Sequence, residues 1–135
     1  MITESITLRT RREEMSFINL SNHISTNWSE AQINAAREYG EIIDYPFPGV
    51  SVEWDEVTID KMSDEIVGKV ISMKPKAVMC QGEFTMCFNI VRKLLKKGVC
   101  VVSACSERNC EEVMEGGVSK KIMYFEFVRF RNYVL

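Results

Sequence analysis

The chain has 135 residues, of which 46% are hydrophobic and 27% charged, and its formal net charge at pH 7 is −2. This length fits one domain that can bury a core without disulfide bonds. The slight negative charge gives no support for a basic surface that binds duplex nucleic acid. The sequence contains no apolar run of the roughly 18 residues that a membrane span needs. Met1–Glu14 lacks the apolar centre of a secretory signal, so the sequence predicts a cytoplasmic protein with no membrane contact.

The first fourteen residues carry no sustained hydrophobic period, and arginines and acids crowd their end. We interpret residues 1–14 as a loosely ordered leader and residues 15–135 as a single domain. A basic patch for nucleic acid is the alternative, but two acidic residues directly follow the arginines.

Between residues 16 and 104, short apolar runs alternate with segments whose apolar residues recur at helical spacing. The first helix is predicted to begin with a capping box, in which Ser29 is the N-cap and Gln32 the N3 residue, and to end at Gly40. Asp55 is a plausible N-cap of the second helix, and the third helix begins at Phe84. The predicted strands are Ser16–Leu20, Glu41–Tyr45, Lys76–Gln81 and Val99–Ala104. Strand–helix repeats of this kind favour a parallel sheet covered by helices.

The last part of the chain has a different pattern. Arg108–Met114 and Val118–Phe130 flank the turn signal Glu115-Gly116-Gly117, which predicts a β-hairpin. In the second run Met123, Phe125 and Phe127 alternate with other residues, so one face should be buried deeper. The predicted fold is therefore α/β, a Rossmann-like three-layer arrangement whose mostly parallel sheet has about six strands and a C-terminal β-hairpin.

The cysteine pattern indicates core packing. Five cysteines occur, no CxxC pair is present, and His23 is the only histidine. This set gives a metal site too few ligands, so no metal and no cofactor are predicted. Reduced thiols, mostly in the core, are expected.

Three polar segments follow predicted strands, where ligands bind in open α/β sheets. Neither GxGxxG nor GxxxxGK[ST] is present, which weakens the dinucleotide and NTPase interpretations. The candidate binding residues are Ser21, Asn22, Gln81, Gly82, Glu83, Thr85, Ser106 and Glu107, and the candidate catalytic residues are His23 and Arg108.

The individual roles remain open at this point. His23 could be a general acid or base, a ring stacked on a nucleobase, or a structural loop residue. Arg108 could clamp a phosphate or pair with a neighbouring glutamate. The carboxylate of Glu83 stabilises the helix N-terminus by itself and disfavours a phosphate at the same place. Glu83 would therefore accept a hydrogen bond from a ribose hydroxyl or an exocyclic amine. Trp28 is expected to be a packing residue.

The segments NLSNH, DYPFP, QGE, SER and FVRFR together resemble small stand-alone proteins encoded beside type III CRISPR systems. Their domain is similar to the CRISPR-associated Rossmann fold, and the resemblance covers most of Phe17–Arg131. It implies a homodimer that binds cyclic oligoadenylate, in particular cyclic tetra-adenylate, across its two-fold axis. Some such proteins are ring nucleases, which cleave the ring without metal by attack of a ribose 2′-hydroxyl on the adjacent phosphate, and others sequester it.

Carried over to this chain, the resemblance places Asn22 and His23 near the scissile phosphodiester. It implies that the backbone amides of Gly82–Thr85 hold the ring and that Ser106, Glu107 and Arg108 close its side. The three segments contain no lysine, so Arg108 or His23 would have to supply the stabilising cation.

Two other classes of function remain open. One is a hydrolase or transferase that acts on an ordinary nucleotide in the same crevice. The other is a non-catalytic interaction module that works through the FVRFR edge, where Arg129 and Arg131 would meet a partner.

Overall fold

The computed structural model describes residues 15–135, and the predicted leader lies outside the described residues. The described chain forms five strands and three α-helices. The strands are β1 (Ser16–Ser21), β2 (Glu41–Pro46), β3 (Pro75–Cys80), β4 (Cys100–Glu115) and β5 (Val118–Asn132). The helices are α1 (Glu30–Arg37), α2 (Glu56–Ser72) and α3 (Phe84–Lys96), and a 3-10 turn covers Ser25–Asn27.

The strands form one mixed sheet in the order β2-β1-β3-β4-β5. The first four strands are parallel, and β5 runs antiparallel to β4. The chain moves to one side of β1 to make β2 and then to the other side to make β3, so the strand order reverses at β1 and β3. The prediction of an α/β fold with a mostly parallel sheet and a C-terminal hairpin is confirmed.

Both faces of the sheet are covered because successive strand residues point in opposite directions. On one face Ile18, Val78 and Val101 belong to a cluster that includes buried residues of α2 and α3, and on the other Phe17 and Met79 pack with residues of α1. Each fully buried aliphatic or aromatic side chain of this kind contributes about 1.5–3 kcal/mol to folding.

The strand count differs from the prediction, because the sheet has five strands and not about six. Val99–Ala104 and Arg108–Met114 were predicted as separate strands, but the backbone between them stays extended and forms the single strand β4. Residues 105–107 contain no proline or glycine, and each pairs with β5. Continuous pairing with the hairpin partner therefore decides the conformation where the polar composition indicated a loop.

The helix ends follow their predicted chemistry with one exception. The side chains of Ser29 and Asp55 accept hydrogen bonds from the amides of Gln32 and Thr58, so both predicted N-caps are confirmed. Gly40 was expected to end α1 as a C′ residue, but its φ is not positive. A Cβ on Gly40 would lie 2.6 Å from the carbonyl oxygen of Met15. The glycine is therefore required for a close backbone approach.

The cysteines are less buried than predicted. Cys80 is fully buried, and Cys87, Cys100 and Cys105 are half-buried. Cys110 is exposed because it lies on the outer part of β4. In residues 15–135 no helix has both the length and the apolarity needed to cross a membrane.

The hairpin continues well past the parallel sheet. β3 pairs with β4 only as far as Val102, whereas β5 pairs with β4 as far as Glu115. The outer part, residues 106–127, is called the ribbon. At its base the register shifts, since Cys105 pairs with Arg129 and Ser106 with Phe127, which leaves Val128 as an extra residue. Such a bulge increases the local twist and redirects the strands that follow.

Candidate binding cleft

A cleft of about 580 Å³ lies between α1, the end of β3 and the base of the ribbon. It opens beside the carboxyl ends of β1 and β3, where the strand order reverses. Ligands of open α/β sheets bind at this position. The lining residues are His23, Asn27, Trp28, Ser29, Gln32, Met79, Gln81, Ala104, Ser106, Tyr124, Phe125, Glu126 and Phe127. The set combines aromatic rings, amides and one imidazole.

A buried polar network holds the loop that carries His23. The Asn19 side-chain amide donates to the His23 carbonyl oxygen and to Asp44 Oδ1, both at 2.8 Å. Ser21 Oγ donates to Asn19 Oδ1 at 2.6 Å and accepts from the His23 amide at 3.2 Å. Asp44 in turn accepts from the amide and the hydroxyl of Ser25. Because the network fixes the loop backbone, the exposed His23 ring projects from a defined base.

Gln81 closes the floor of the cleft at the point where β3 ends. Its side-chain oxygen accepts a hydrogen bond from the Ala104 amide at 2.7 Å. Backbone pairing between β3 and β4 stops at Val102. The Gln81 side chain therefore connects the two strands beyond the last backbone pair. Because this hydrogen bond uses the side-chain oxygen, the NH₂ group can donate to an acceptor in the cleft.

An aromatic cluster supports the opposite wall. Phe17 contacts Trp28 edge-on with ring centroids 6.2 Å apart, and it contacts Phe130 at 5.1 Å. Phe130 also contacts Phe127, at 4.9 Å. Trp28 thus packs as expected, but it also lines the cleft. Ring pairs of this kind favour fixed geometries, so the wall is preorganised.

Three of the predicted residues come together in the cleft, namely His23, Gln81 and Ser106. Ser21 and Asn22 do not line it, and they belong to a separate cavity of about 200 Å³ between the ends of β1 and β2. The hydroxyl of Ser21 is used within the polar network that holds the His23 loop. Its role in the structure is to support the site.

Glu83 occupies the N-terminus of α3 with its own carboxylate. The carboxylate accepts from the amides of Thr85 and Met86 at 3.1 and 2.8 Å and from the Thr85 hydroxyl. The bond from the Met86 amide and the bond from the Thr85 hydroxyl lower the pKa of Glu83. Of the amides of Gly82–Thr85 that were expected to hold an anionic ring, the Thr85 amide already donates to this charged acceptor.

Gly82 is needed for packing. A Cβ at this position would lie 2.5 Å from three ring atoms of Phe47, which is buried against the α2 and α3 face of the sheet. The turn after β3 is tight because this ring lies directly against its backbone.

Ser106 and Glu107 were predicted to lie in a polar segment between two strands, and Arg108 to begin the second of those strands, but all three lie on the single strand β4. Alternate residues of a strand share one face, so Ser106 and Arg108 are about 7 Å apart along β4 on the same side. Arg108 Nη2 contacts Met123 Sδ at 3.2 Å, and the side chain is exposed. Glu107 lies opposite Glu126. Arg108 is therefore next to the cleft without lining it.

The sequence interpretation missed most of the cleft's lining. Gln32 was recognised only as a capping-box residue, and Asn27 was not among the candidate binding residues, yet both line the cleft. Tyr124 and Phe125 come from the second hairpin strand, more than 90 residues from the first loop. The bulge at Val128 directs that strand towards α1, and it has no signature in the sequence.

Residues 15–135 contain no group of three or more His, Cys, Asp or Glu side chains that could hold a metal ion. One protein-family model matches residues 15–131 of the chain. The chain belongs to the uncharacterized protein MJ1673 family. The comparison with curated proteins and the comparison with solved structures found no match.

Proposed function

We propose that this MJ1673-family protein binds cyclic oligoadenylate, in particular cyclic tetra-adenylate, as a cytoplasmic homodimer in a type III CRISPR response. The proposal joins the resemblance of its short motifs to the position of the cleft. The strand order reverses at β1 and β3, as in a Rossmann-like three-layer fold, and the cleft lies at that reversal. The observation that carries the proposal is the combination of aromatic and amide side chains in the lining.

Adenine is recognised by stacking on a ring and by amides that pair with its N6 and N7 positions. Trp28, Phe125 and Phe127 provide rings, and Asn27 and Gln81 provide amides within the same cleft. Phe125 is 74% exposed, which suits a ring that a ligand covers. Stacking on a ring of this kind contributes about 1–3 kcal/mol per base.

Among residues 15–135, the lining contains no lysine or arginine. Cleavage of the ring would need a cation to stabilise charge that develops on the phosphate, as in phosphoryl transfer generally. His23 is the only basic side chain that the described part of the chain contributes to the lining, and Arg108 contacts Met123 on the ribbon. The cleft therefore favours binding and sequestration over ring cleavage.

The ribbon supports a homodimer. It carries large apolar side chains on both faces, including Met114, Ile122, Met123 and Phe125, and each is at least 48% exposed. Neither face is buried deeper within the chain, contrary to the alternation seen in the sequence. A two-stranded hairpin is marginally stable alone in water. A second copy that covers the ribbon would bury these side chains and bring two clefts together around one ring.

Binding is tested by calorimetry with cyclic tetra-adenylate in EDTA, with linear tetra-adenylate and AMP as comparison ligands. We expect one ring per dimer, with much weaker binding of AMP. Chromatography of the recovered ligand should show an intact ring, and a linear or dinucleotide product would instead assign ring cleavage. Absence of binding to every ring size would contradict the proposal.

Dimer formation is measured by light scattering of the wild-type chain and of the variant Ile122→Asp. The substitution places a charge on the ribbon at a residue that does not line the cleft, so it should give a monomer without altering the lining. Val52→Asp is the matched control, because Val52 is 97% exposed and lies outside the ribbon. A monomeric wild-type chain would contradict the dimer.

A second candidate is a non-catalytic interaction module, favoured by the same exposed ribbon. β5 forms an edge of the sheet, and Arg129 and Arg131 on it are exposed. Under this alternative, replacing both arginines abolishes a protein complex while His23→Ala changes nothing. A nucleotide hydrolase or transferase is distinguished by Mg²⁺-dependent turnover of mononucleotides.

A further inference from the structure

Two cysteines lie in contact on the face of the sheet opposite the cleft. Cys80 is the last residue of β3, and Cys87 lies in the first turn of α3. Their Sγ atoms are 3.6 Å apart. Cys80 is fully buried, whereas Cys87 is half-buried. A solvent-facing thiol therefore lies directly in front of a protected one.

The surroundings of Cys87 favour its thiolate. The hydrogen bond from the Cys80 thiol, followed by those from the Tyr133 hydroxyl and the Gly82 amide, lowers the pKa of Cys87 to about 7 against the opposing effect of burial. The same contact raises the pKa of Cys80. Either thiol can donate in this contact, but of the two only Cys87 is open to solvent, so Cys87 is the nucleophile that an incoming molecule reaches.

Cys87 opens into an apolar groove of about 450 Å³. The groove is lined by Phe84, Cys87, Phe88, Val91, Arg92, Leu95, Tyr133, Val134 and Leu135. Phe84 is 90% exposed and Phe88 67% exposed, although both are large rings. The thiol and the apolar walls together suit a small molecule with a hydrocarbon body and an electrophilic end.

We propose that Cys80 and Cys87 form a thiol pair that reduces an organic hydroperoxide held in the apolar groove. Cys87 thiolate attacks the terminal oxygen of the hydroperoxide, so an S–O bond forms, the O–O bond breaks, and the released alkoxide takes a proton to become an alcohol. Cys80 then attacks the sulfur of the Cys87 sulfenic acid. The S–O bond breaks, Cys80 gives up its proton, hydroxide leaves as water, and a disulfide forms. The two thiols lose two electrons, and the peroxide gains them.

The pair is well placed for the second step. The sulfur atoms already touch, and a disulfide needs them about 2 Å apart, so closure asks for a movement of about 1.5 Å. The Tyr133 hydroxyl donates to the Cys80 carbonyl oxygen at 3.0 Å, which ties the C-terminal segment to the same position. This chemistry uses none of the residues of the cleft, so it stands or fails independently of cyclic oligoadenylate binding.

The test treats the reduced full chain with cumene hydroperoxide and measures its mass. We expect a loss of about 2 Da, two hydrogen atoms, and a peptide map that joins Cys80 to Cys87. Cys80→Ser should instead accumulate a sulfenic acid on Cys87 that dimedone traps, and Cys87→Ser should lose the reaction completely. Cys110→Ser is the matched control, because it removes an exposed thiol and keeps the pair.

Two results would overturn the proposal. One is an unchanged mass of the wild-type chain, or a disulfide that joins other cysteines while Cys80 and Cys87 stay reduced. The other is oxidation by hydrogen peroxide at least as fast as by cumene hydroperoxide, because the groove would then make no contribution. If Cys80→Ser does not fold by circular dichroism, the peptide map of the wild-type chain decides.

Discussion

The side-chain oxygen of Gln81 accepts a hydrogen bond from the Ala104 amide at 2.7 Å, just beyond the last backbone pair of β3 and β4. The bond connects two strands whose ends form the floor of the cleft. Gln81 therefore has a structural oxygen and an NH₂ group that donates to no residue of 15–135, and its two ends can be tested separately.

Gln81→Ala should lower the free energy of unfolding by about 1 kcal/mol, because the partly buried Ala104 amide loses its acceptor. Gln81→Glu keeps an acceptor oxygen and removes the NH₂ donor. Denaturant melts should therefore give a larger loss for alanine than for glutamate, whereas both variants should weaken cyclic tetra-adenylate binding. Equal losses of stability would contradict the structural role of the oxygen.

Gly82→Ala should destabilise the fold by about 1–3 kcal/mol, because the added methyl group overpacks the Phe47 ring. Gly49→Ala is the matched control, since a Cβ at Gly49 meets no atom within 4 Å. Adding Gly82→Ala to a chain that already carries Phe47→Leu should cost less stability than adding it to the wild-type chain. Thermal melts that give equal midpoints for the two single variants would disprove the contact.

Glu83 should make stability depend on pH. Its hydrogen bonds lower its pKa in the folded chain, so the stabilisation is fully present above its unfolded pKa and is lost as the pH falls through the folded value. Glu83→Gln should lower stability at neutral pH by about 1 kcal/mol, a typical value for an N-cap, and the gap should close under acid. The measurement is the unfolding midpoint of both chains from pH 7 to pH 2. A gap that stays constant over this range would contradict the capping role.

His23 separates the two outcomes of the proposed function. If the protein sequesters the ring, His23→Ala should weaken binding, and neither the wild-type protein nor the variant should release product. If the protein cleaves the ring, the substitution should slow cleavage by about 10²–10⁴-fold. Single-turnover assays with labelled cyclic tetra-adenylate distinguish the cases. An unchanged affinity together with an unchanged rate would make His23 a loop residue.

Much of the sheet could be predicted because its signals are local. The apolar runs around Phe17 and Val78 and the caps at Ser29 and Asp55 depend on residues close in sequence, and each prediction agrees with the structure. Gly98 follows the C-cap of α3 with a φ of 78°, the left-handed conformation that a glycine commonly adopts at this position. The hairpin turn at Gly116 and Gly117 was equally recognisable, since both have positive φ.

The cleft was predicted only in part because it depends on contacts between distant segments. His23 and Gln81 follow strands and could be recognised from the strand pattern. The placement of Ser106 in a loop was wrong, since pairing with β5 keeps it extended. The chemistry of Glu83 could be inferred from its position, but the contact of Gly82 with Phe47 required the packed structure.

The ribbon also determines which changes of length the chain can accept. Its strands pair with each other along residues 106–127, and nearly all their side chains are exposed, so the core does not fix their number. Removing one cross-strand pair near the turn shortens the arm by about 3.4 Å and retains the register of the remaining pairs. Removing a single residue from one strand would instead offset that strand by one residue, so its side chains beyond the deletion would no longer lie on the same face as those of their former partners. Insertions and deletions in this part of the chain should therefore occur in matched pairs.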